Sequence, residues 1–352
     1  MGIFGGLFKK EKYNGYFEIK ISSITRLNNY AVKVNFDIPD KLLAKFIFTP
    51  GQYINIIKEI KGKEERRSYS ICSAKNEPLS IGVKYIENGT VSNWFVNEAK
   101  EGDTLYFSSP QGNFTIPTGA NTIVTIAAGS GITPILSILK SKTKDQKFKL
   151  LFGNKSQEET MFLSEISEIP QLQTYLFYSR INEPGAKEGR IDKSSLTDFI
   201  KADLSLLQSD AFLICGPEEM IVCCIEALEF FGVAKDKIIY ELFTTPVSLG
   251  IEAKKESYSG SAEVTVILDD EDFQFTIEDG SRSILDAVEE EGMDAPYSCR
   301  GGVCCSCKAK VLEGSSDMKL NYSLSDDEVK DGYILTCQAF PTSDSLKISF
   351  DE

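Results

Sequence analysis

From Tyr13 to about Pro117, apolar and polar positions alternate with the two-residue period of strands buried on one face. The runs Tyr16–Ile21, Ala31–Phe36 and Leu79–Lys84 show it best, and Asn, Pro and Gly turn signals separate them. They predict a small antiparallel β-barrel. After Asn121 the rhythm changes: Thr122–Ala127 is a continuous apolar run that ends in glycines, followed by a helix over Pro134–Lys140 and a strand over Lys149–Phe152. Leu172–Tyr178 and Ala211–Cys215 repeat the buried-strand pattern, and an apolar helix over Met220–Phe231 follows the latter. Strands alternating with helices predict an α/β doubly wound sheet. Polar residues from Val247 to Gly260 read as a linker. Beyond it, Val264–Leu268 and Phe273–Ile277 predict a hairpin, and a helix over Ser283–Glu291 leads into a cysteine-rich loop. The chain is therefore expected to be multidomain: 13–117, 118–246, a linker at 247–260, and an α+β unit at 261–352.

In that loop, Cys299-x4-Cys304-x2-Cys307, followed after 29 residues by Cys337, is the plant-type ligand spacing of a [2Fe–2S] cluster. Three thiolates come from one tight loop and the fourth from a distant strand, while Arg300, Gly301 and Gly302 let the backbone curl around the sulfurs. A zinc site is the alternative, but zinc pairs C-x2-C with a second such pair or with histidines, and the chain has no histidine. Cys305 lies between two ligands with no role assigned. Cys72, Cys215, Cys223 and Cys224 sit in apolar segments and read as small core residues.

The charge is uneven. The net −14 is carried entirely by Ser261–Glu352, with 21 acidic and 7 basic residues against 31 of each in residues 1–260. An acidic surface around the cluster serves solubility, and it would also steer a basic acceptor protein into contact. Nucleic acid is excluded as a partner by the same sign. No apolar run approaches the roughly 18 residues of a membrane span, and the N-terminus lacks the order of a signal peptide, so a cytoplasmic location is expected. Phe4, Leu7 and Phe8 ahead of Lys9, Lys10 and Lys12 could touch a membrane surface, though a packed or frayed terminus explains them as well.

Upstream lie three sets of candidate binding residues. Arg67, Tyr69 and Ser70 offer a guanidinium for phosphate, an aromatic face for a flat ring and a hydroxyl for a ring nitrogen. Gly89, Thr90, Val91 and Ser92 form a turn ahead of a helical stretch, suited to a pyrophosphate or to an ordinary helix cap. Gly129, Gly131, Thr133 and Pro134 follow a buried strand and precede a helix, where backbone and helix N-terminus can meet a dinucleotide phosphate. Pro134 stands where G-x-G-x-x-G requires its last glycine, which disfavours a standard Rossmann dehydrogenase. Ser179 and Arg180 end a strand where NAD-binding folds place an acid. A hydroxyl and a guanidinium there suit the 2′-phosphate of NADPH, with Arg190 a second cation. Cys215 and Gly216 make another strand-to-helix turn at the carboxyl end of the sheet.

In this order the motifs resemble the ferredoxin–NADP⁺ reductase family over about 13–246 and the plant-type ferredoxin family over about 261–352. The resemblance implies a flavin-binding β-barrel, an NADP-binding domain and a β-grasp-like ferredoxin domain. It implies FAD held by Arg67, Tyr69 and Ser70 with its phosphates on Gly89–Ser92, although the residues themselves leave FAD and FMN open. It further implies the nicotinamide nucleotide on the Gly129–Pro134 loop, Cys215 near the nicotinamide, Ser70 and Thr133 lining the hydride contact, and Glu241 and Phe243 closing over the flavin. Reductase first and ferredoxin last is the order of reductase components of bacterial multicomponent oxygenases. Gln111–Phe114, Ser92–Trp94 and Glu241–Pro246 are most similar to the reductases of phenylacetyl-CoA epoxidase systems, which implies a role in phenylacetate catabolism. Another di-iron oxygenase, a hydroxylase or a fatty-acid desaturase stays open as acceptor, as does a redox-responsive regulatory protein that merely carries the cluster.

Overall fold

The computed structural model describes residues 13, 15–245, 260–278 and 282–352. Met1–Lys12 and the expected linker up to residue 259 lie outside the described residues, and so does Pro246. Three sheets follow one another along the chain.

The first contains β1 (Tyr16–Asn28), β2 (Ala31–Asp37), β3 (Tyr53–Ile60), β4 (Lys63–Ser70), β5 (Ser80–Lys84) and β6 (Thr104–Ser108), with helix α1 (Thr90–Asn97) between the last two. The strand order is β4-β3-β6-β1-β2-β5, and every neighbouring pair is antiparallel. The sheet curls until Ile71, the residue after β4, bridges Ile81 in β5. Its interior is the buried half of the alternation, including Ile19, Val34, Ile54, Ile56, Ile81 and Phe107. Two strands escaped the periodicity. Residues 53–57 of β3 are buried without interruption, which erases the two-residue signal, and β4 opens on the charged stretch Lys63–Arg66, of which Lys63 and Glu64 are exposed while Arg66 is buried.

The second sheet contains β7 (Thr122–Ala128), β8 (Lys147–Asn154), β9 (Gln173–Tyr178), β10 (Ala186–Glu188), β11 (Ala211–Cys215) and β12 (Ile238–Glu241). It also carries α2 (Ile132–Lys140), α3 (Leu163–Ser167), α4 (Lys193–Ala202) and α5 (Glu218–Phe230). The order β10-β9-β8-β7-β11-β12 is parallel throughout. Both faces are covered, as a parallel sheet requires. Ile123, Leu150 and Leu213 pack towards α2 and α3, while Val124, Leu151 and Phe212 pack towards α4 and α5. That two-sided burial is why these strands read as continuous apolar runs. Helix α2 begins two residues before its expected start, with Pro134 in the first turn where its missing N–H costs nothing.

The third sheet contains β13 (Ala262–Leu268), β14 (Glu271–Ile277), β15 (Lys308–Glu313), β17 (Tyr333–Leu335) and β19 (Ser345–Ser349); β16 (Ser316–Met318) pairs separately with β18 (Ala339–Pro341). Helix α6 (Ile284–Glu290) lays Ile284, Leu285 and Val288 on Val264, Val266, Leu346 and Ile348, and α7 (Asp326–Lys330) stands beside β17. The Ser283 hydroxyl caps α6 by accepting from the Asp286 N–H, and the cysteine loop runs from the end of this helix to β15. The expected architecture of barrel, doubly wound sheet and β-grasp-like domain is borne out. Among the described residues, no helix is long and apolar enough to cross a membrane.

Candidate functional site

A cavity of about 1190 Å³ opens where the three sheets meet. From the first sheet it takes the end of β4, with Arg67, Tyr69 and Ser70, and the N-terminus of α1, with Gly89, Val91 and Ser92. Tyr69 stands edge-on to Phe95 of α1, ring centroids 5.5 Å apart, which fixes strand and helix against each other. The Ser92 hydroxyl donates to the Gly89 carbonyl at 3.3 Å, holding the turn in shape while leaving the first N–H groups of the helix open to an anion.

From the second sheet come the carboxyl ends of the parallel strands, where such folds bind ligands. Gly129, Gly131 and Thr133 follow β7, Ser179 follows β9, Gly216 follows β11, and Arg190 stands at the rim. Gly131 has no alternative. A Cβ there would lie 2.1 Å from the Cys215 carbonyl oxygen and 2.8 Å from the Gly216 nitrogen, because the first turn of α2 presses directly on the end of β11.

Glu241, at the end of β12, and Phe243 close one side of the cavity. The Ser70 hydroxyl donates to a Glu241 carboxylate oxygen at 3.2 Å, tying the first sheet to the second. Burial pushes the Glu241 carboxyl up to about 8, with the Ser70 bond only partly offsetting it. A carboxyl whose folded value is raised stabilises least when ionised, so the protein should lose stability as pH rises from about 4.5 to about 8 through this group. Replacing Glu241 with Gln is expected to remove that slope. Melting temperatures of the two proteins should converge at acid pH and separate by several degrees in favour of the variant at alkaline pH, whereas parallel curves would reject a desolvated, proton-binding Glu241.

The cluster loop forms another wall, through Ser298, Cys299, Val303 and Cys304. The four expected ligand thiols gather as two pairs. The Cys304 thiol lies 3.0 Å from Cys299, and Cys307 is paired with Cys337. The Gly301 N–H donates to the Cys299 sulfur at 3.3 Å and the Ser306 hydroxyl to the Cys304 sulfur at 3.1 Å. The Cys304 thiol first, and then backbone N–H groups including that of Gly301, pull Cys299 below the ordinary thiol range. No three His, Cys, Asp or Glu groups among the described residues converge on a single metal ion. Two pairs of thiols therefore fit a two-iron cluster, with a pair for each iron, better than a tetrahedral zinc.

The remaining cavity lining fits nucleotide cofactors as well. Both polar atoms of the Asn154 side chain, at the end of β8, are buried without a partner on the cavity wall, which calls for a ligand's hydrogen bonds.

Most of the expected residues converge here, and some do not. Thr90, Pro134 and Arg180 are off the cavity wall, and Cys215 is fully buried beneath the floor beside Gly131. Cys307 and Cys337 also lie off it, in the apolar core of the last domain. Cys223 departs from the core reading, since it is half-buried and lines the cavity. Sequence reasoning missed Tyr53, Lys84 and Lys155. Lys84 and Lys155 stand at or just past the ends of β5 and β8, a position that could have marked them. Burial lowers the Lys84 ammonium, and its Nζ sits beside the Gly129 loop.

Three domain families match the chain in order: the oxidoreductase FAD-binding domain over residues 18–116, the oxidoreductase NAD-binding domain over 125–225, and the 2Fe-2S iron-sulfur cluster binding domain over 266–342. The chain is 35% identical to one of the subunits of 1,2-phenylacetyl-CoA epoxidase from Escherichia coli (strain K12), over 94% of this chain and 96% of that one. It is 28% identical to the ferredoxin reductase component of 3-ketosteroid-9-alpha-monooxygenase of Rhodococcus rhodochrous, with the same coverage of each. Among solved structures, phthalate dioxygenase reductase matches with a TM-score of 0.57 at 22% identity, over 96% of this chain and 98% of that one. An intact type IV self-sufficient cytochrome P450 monooxygenase matches with a TM-score of 0.70 at 20% identity, over 95% of this chain but only 41% of the other. Because the three domain families match in this order and the 35% identity spans nearly the whole of both chains, the chain belongs to the ferredoxin–NADP⁺ reductase family, among the oxygenase reductase components that join FAD- and NAD-binding domains to a 2Fe-2S ferredoxin domain.

Proposed function

We propose that this reductase draws electrons from NADPH and delivers them, through FAD and the [2Fe–2S] cluster, to an oxygenase of the phenylacetyl-CoA epoxidase type. The observation that carries it is the convergence of the flavin, nucleotide and cluster residues on one cavity. Bound flavin supplies the exchange between a two-electron hydride donor and a one-electron centre.

The chain's own residues bind and orient. Arg67, Tyr69 and Ser70 hold the flavin, with its phosphates on the Gly89–Ser92 turn. Gly129, Gly131, Thr133 and Pro134 seat the nicotinamide nucleotide, with Gly216 and the buried Cys215 beneath it. Glu241 and Phe243 shield the flavin from water, and Cys299, Cys304, Cys307 and Cys337 hold the iron. Glu241 keeps its proton near neutral pH and so presents no buried negative charge to the nucleotide. Preference for NADPH rests on Ser179 and Arg180 just past the end of β9, where a hydroxyl and a guanidinium stand in place of a carboxylate, with Arg190, after β10, as a second cation.

The proposed boundaries are 13–117, 118–246, 247–260 and 261–352. The acidic last domain is the docking surface for a basic acceptor in the cytoplasm, so acceptor turnover should fall with salt. The test is anaerobic titration followed by reconstitution. NADPH should bleach both flavin and cluster, Arg180→Ala and Arg190→Ala should raise the NADPH KM about tenfold while sparing NADH, and the epoxidase should turn over phenylacetyl-CoA with this chain as its reductant. Equal effects on the two nucleotides would remove the NADPH assignment. Supported turnover of a different di-iron oxygenase or a desaturase, with none of the epoxidase, would replace the acceptor.

A further inference from the structure

The motif Gln111–Phe114 and the unassigned Cys305 meet at one residue, Tyr53. Its backbone is clamped on two sides, paired with Ser70 of β4 and bridged to Gln111, whose N–H donates to the Tyr53 carbonyl at 2.8 Å. Its ring lies on Gly112, which has φ +110 and would place a Cβ 2.8 Å from the ring, so glycine is required for the ring to sit there. The phenol, on a side chain only 6% exposed, accepts the Cys305 backbone N–H at 2.7 Å. Cys305 follows the expected ligand Cys304 directly, and Tyr53 lines the same cavity as Ser70 and Tyr69. One residue on from Gly112, Asn113 donates to the Ser323 carbonyl at 3.1 Å and to Glu328 at 3.0 Å, both in the ferredoxin domain.

We infer that Tyr53 is a positioning residue for internal electron transfer, holding the cluster loop against the flavin cavity through the Cys305 N–H, with Asn113 as a second tie. Transfer rates depend steeply on the gap between donor and acceptor, and a loop free to lift away spends less time at the productive distance. In each transfer one electron leaves reduced flavin and one ferric ion becomes ferrous. The phenol forms no bond and keeps its proton. At Cys305 the main group in use is its backbone N–H, with the thiol a lesser contact of the same phenol.

The inference rests on the assignment of Cys299, Cys304, Cys307 and Cys337 as ligands, and the two fail differently. Loss of iron from ligand variants tests that assignment, whereas the present test uses full-length protein with its cluster intact. In Tyr53→Phe, anaerobic mixing with NADPH should bleach flavin at the parental rate and ferricyanide turnover should persist. Cluster reduction, followed by freeze-quench electron paramagnetic resonance, should slow about tenfold, as loss of one buried hydrogen bond with an orphaned donor shifts a docking equilibrium. Hydrogen exchange of the peptide spanning residues 299–308 should accelerate even without NADPH. Asn113→Ala, at an exposed site, should slow cluster reduction to a lesser degree, and Cys305→Ala, which keeps the N–H and loses only the thiol's contact with the phenol, should slow it no more than about twofold. Unchanged exchange and unchanged cluster reduction in Tyr53→Phe would overturn the inference, as would an equal slowing in Cys305→Ala.

Discussion

Replacing Cys304 with serine should strip the chain of its one-electron output while leaving its flavin chemistry intact. Cys304 is 3% exposed, and its sulfur forms one thiol pair with Cys299. A serine hydroxyl there is a poor ligand for iron, so the iron paired with Cys299 loses half of its protein ligands. Iron content should fall from about two per chain to well below one, and turnover with a cluster-dependent acceptor such as cytochrome c should drop on the order of a hundredfold. NADPH-driven ferricyanide reduction should stay within about twofold, since the nucleotide residues lie on other elements. Cys305→Ser is the internal comparison. That thiol points to the Ser323 carbonyl at 3.6 Å and joins neither pair, so the variant should keep its iron. A Cys304→Ser protein with two irons and full cytochrome c activity would sink the ligand assignment.

Gly131→Ala should damage the other end of the electron path. The added methyl would sit 2.1 Å from the Cys215 carbonyl oxygen and 2.4 Å from its carbon. Neither neighbour is a flexible side chain. Both belong to the backbone at the end of β11, which is paired to β7 and β12 and cannot step aside alone. Helix α2 must therefore lift, and with it the Gly129–Thr133 loop. Overpacking of this kind costs about 1–3 kcal/mol. The NADPH KM should rise at least tenfold, given the sensitivity of bound geometry to shifts of about 1 Å. Bound flavin should be retained, because its residues are on β4 and α1. An unchanged KM together with an unchanged melting temperature would show that the turn does not carry the nucleotide. Gly129→Ala makes the contrast: it meets only the Lys84 Nζ at 3.7 Å, and its cost comes from φ +55 alone.

The sequence was legible wherever the chemistry is local. Cys299, Cys304 and Cys307 lie in one loop at a recognisable spacing, and the Gly129–Pro134 turn sits between its own strand and helix, so both stood out as candidates. The parallel strands were legible for a similar reason, since burial on both faces leaves an unbroken apolar run such as Thr122–Ala127. What remained hidden depends on partners far apart in the chain. Arg66 is 7% exposed because Asp294 pairs with it at 2.7 Å and Tyr297 lies under its guanidinium, and nothing near residue 66 foretells either partner. The direction in which the ferredoxin domain faces follows from such contacts, and so does the role of Tyr53. Cys215 keeps the core place its apolar strand suggests, and Cys223 leaves it, for another reason. At the carboxyl end of β11, alternation decides which side chain turns to the core, and on α5 helical phase decides which of two adjacent cysteines reaches the cavity.

The two thiol pairs have unlike surroundings, so the cluster they would hold has two unlike ends. Cys299 and Cys304 belong to the cavity wall shared with the flavin residues, and Cys307 and Cys337 lie off it. Cys307, 1% exposed, and Cys337 pack into the apolar core of the last domain instead. One half of the cluster these thiols would hold is thus insulated by its own domain, while the other half faces the flavin residues across a shared wall.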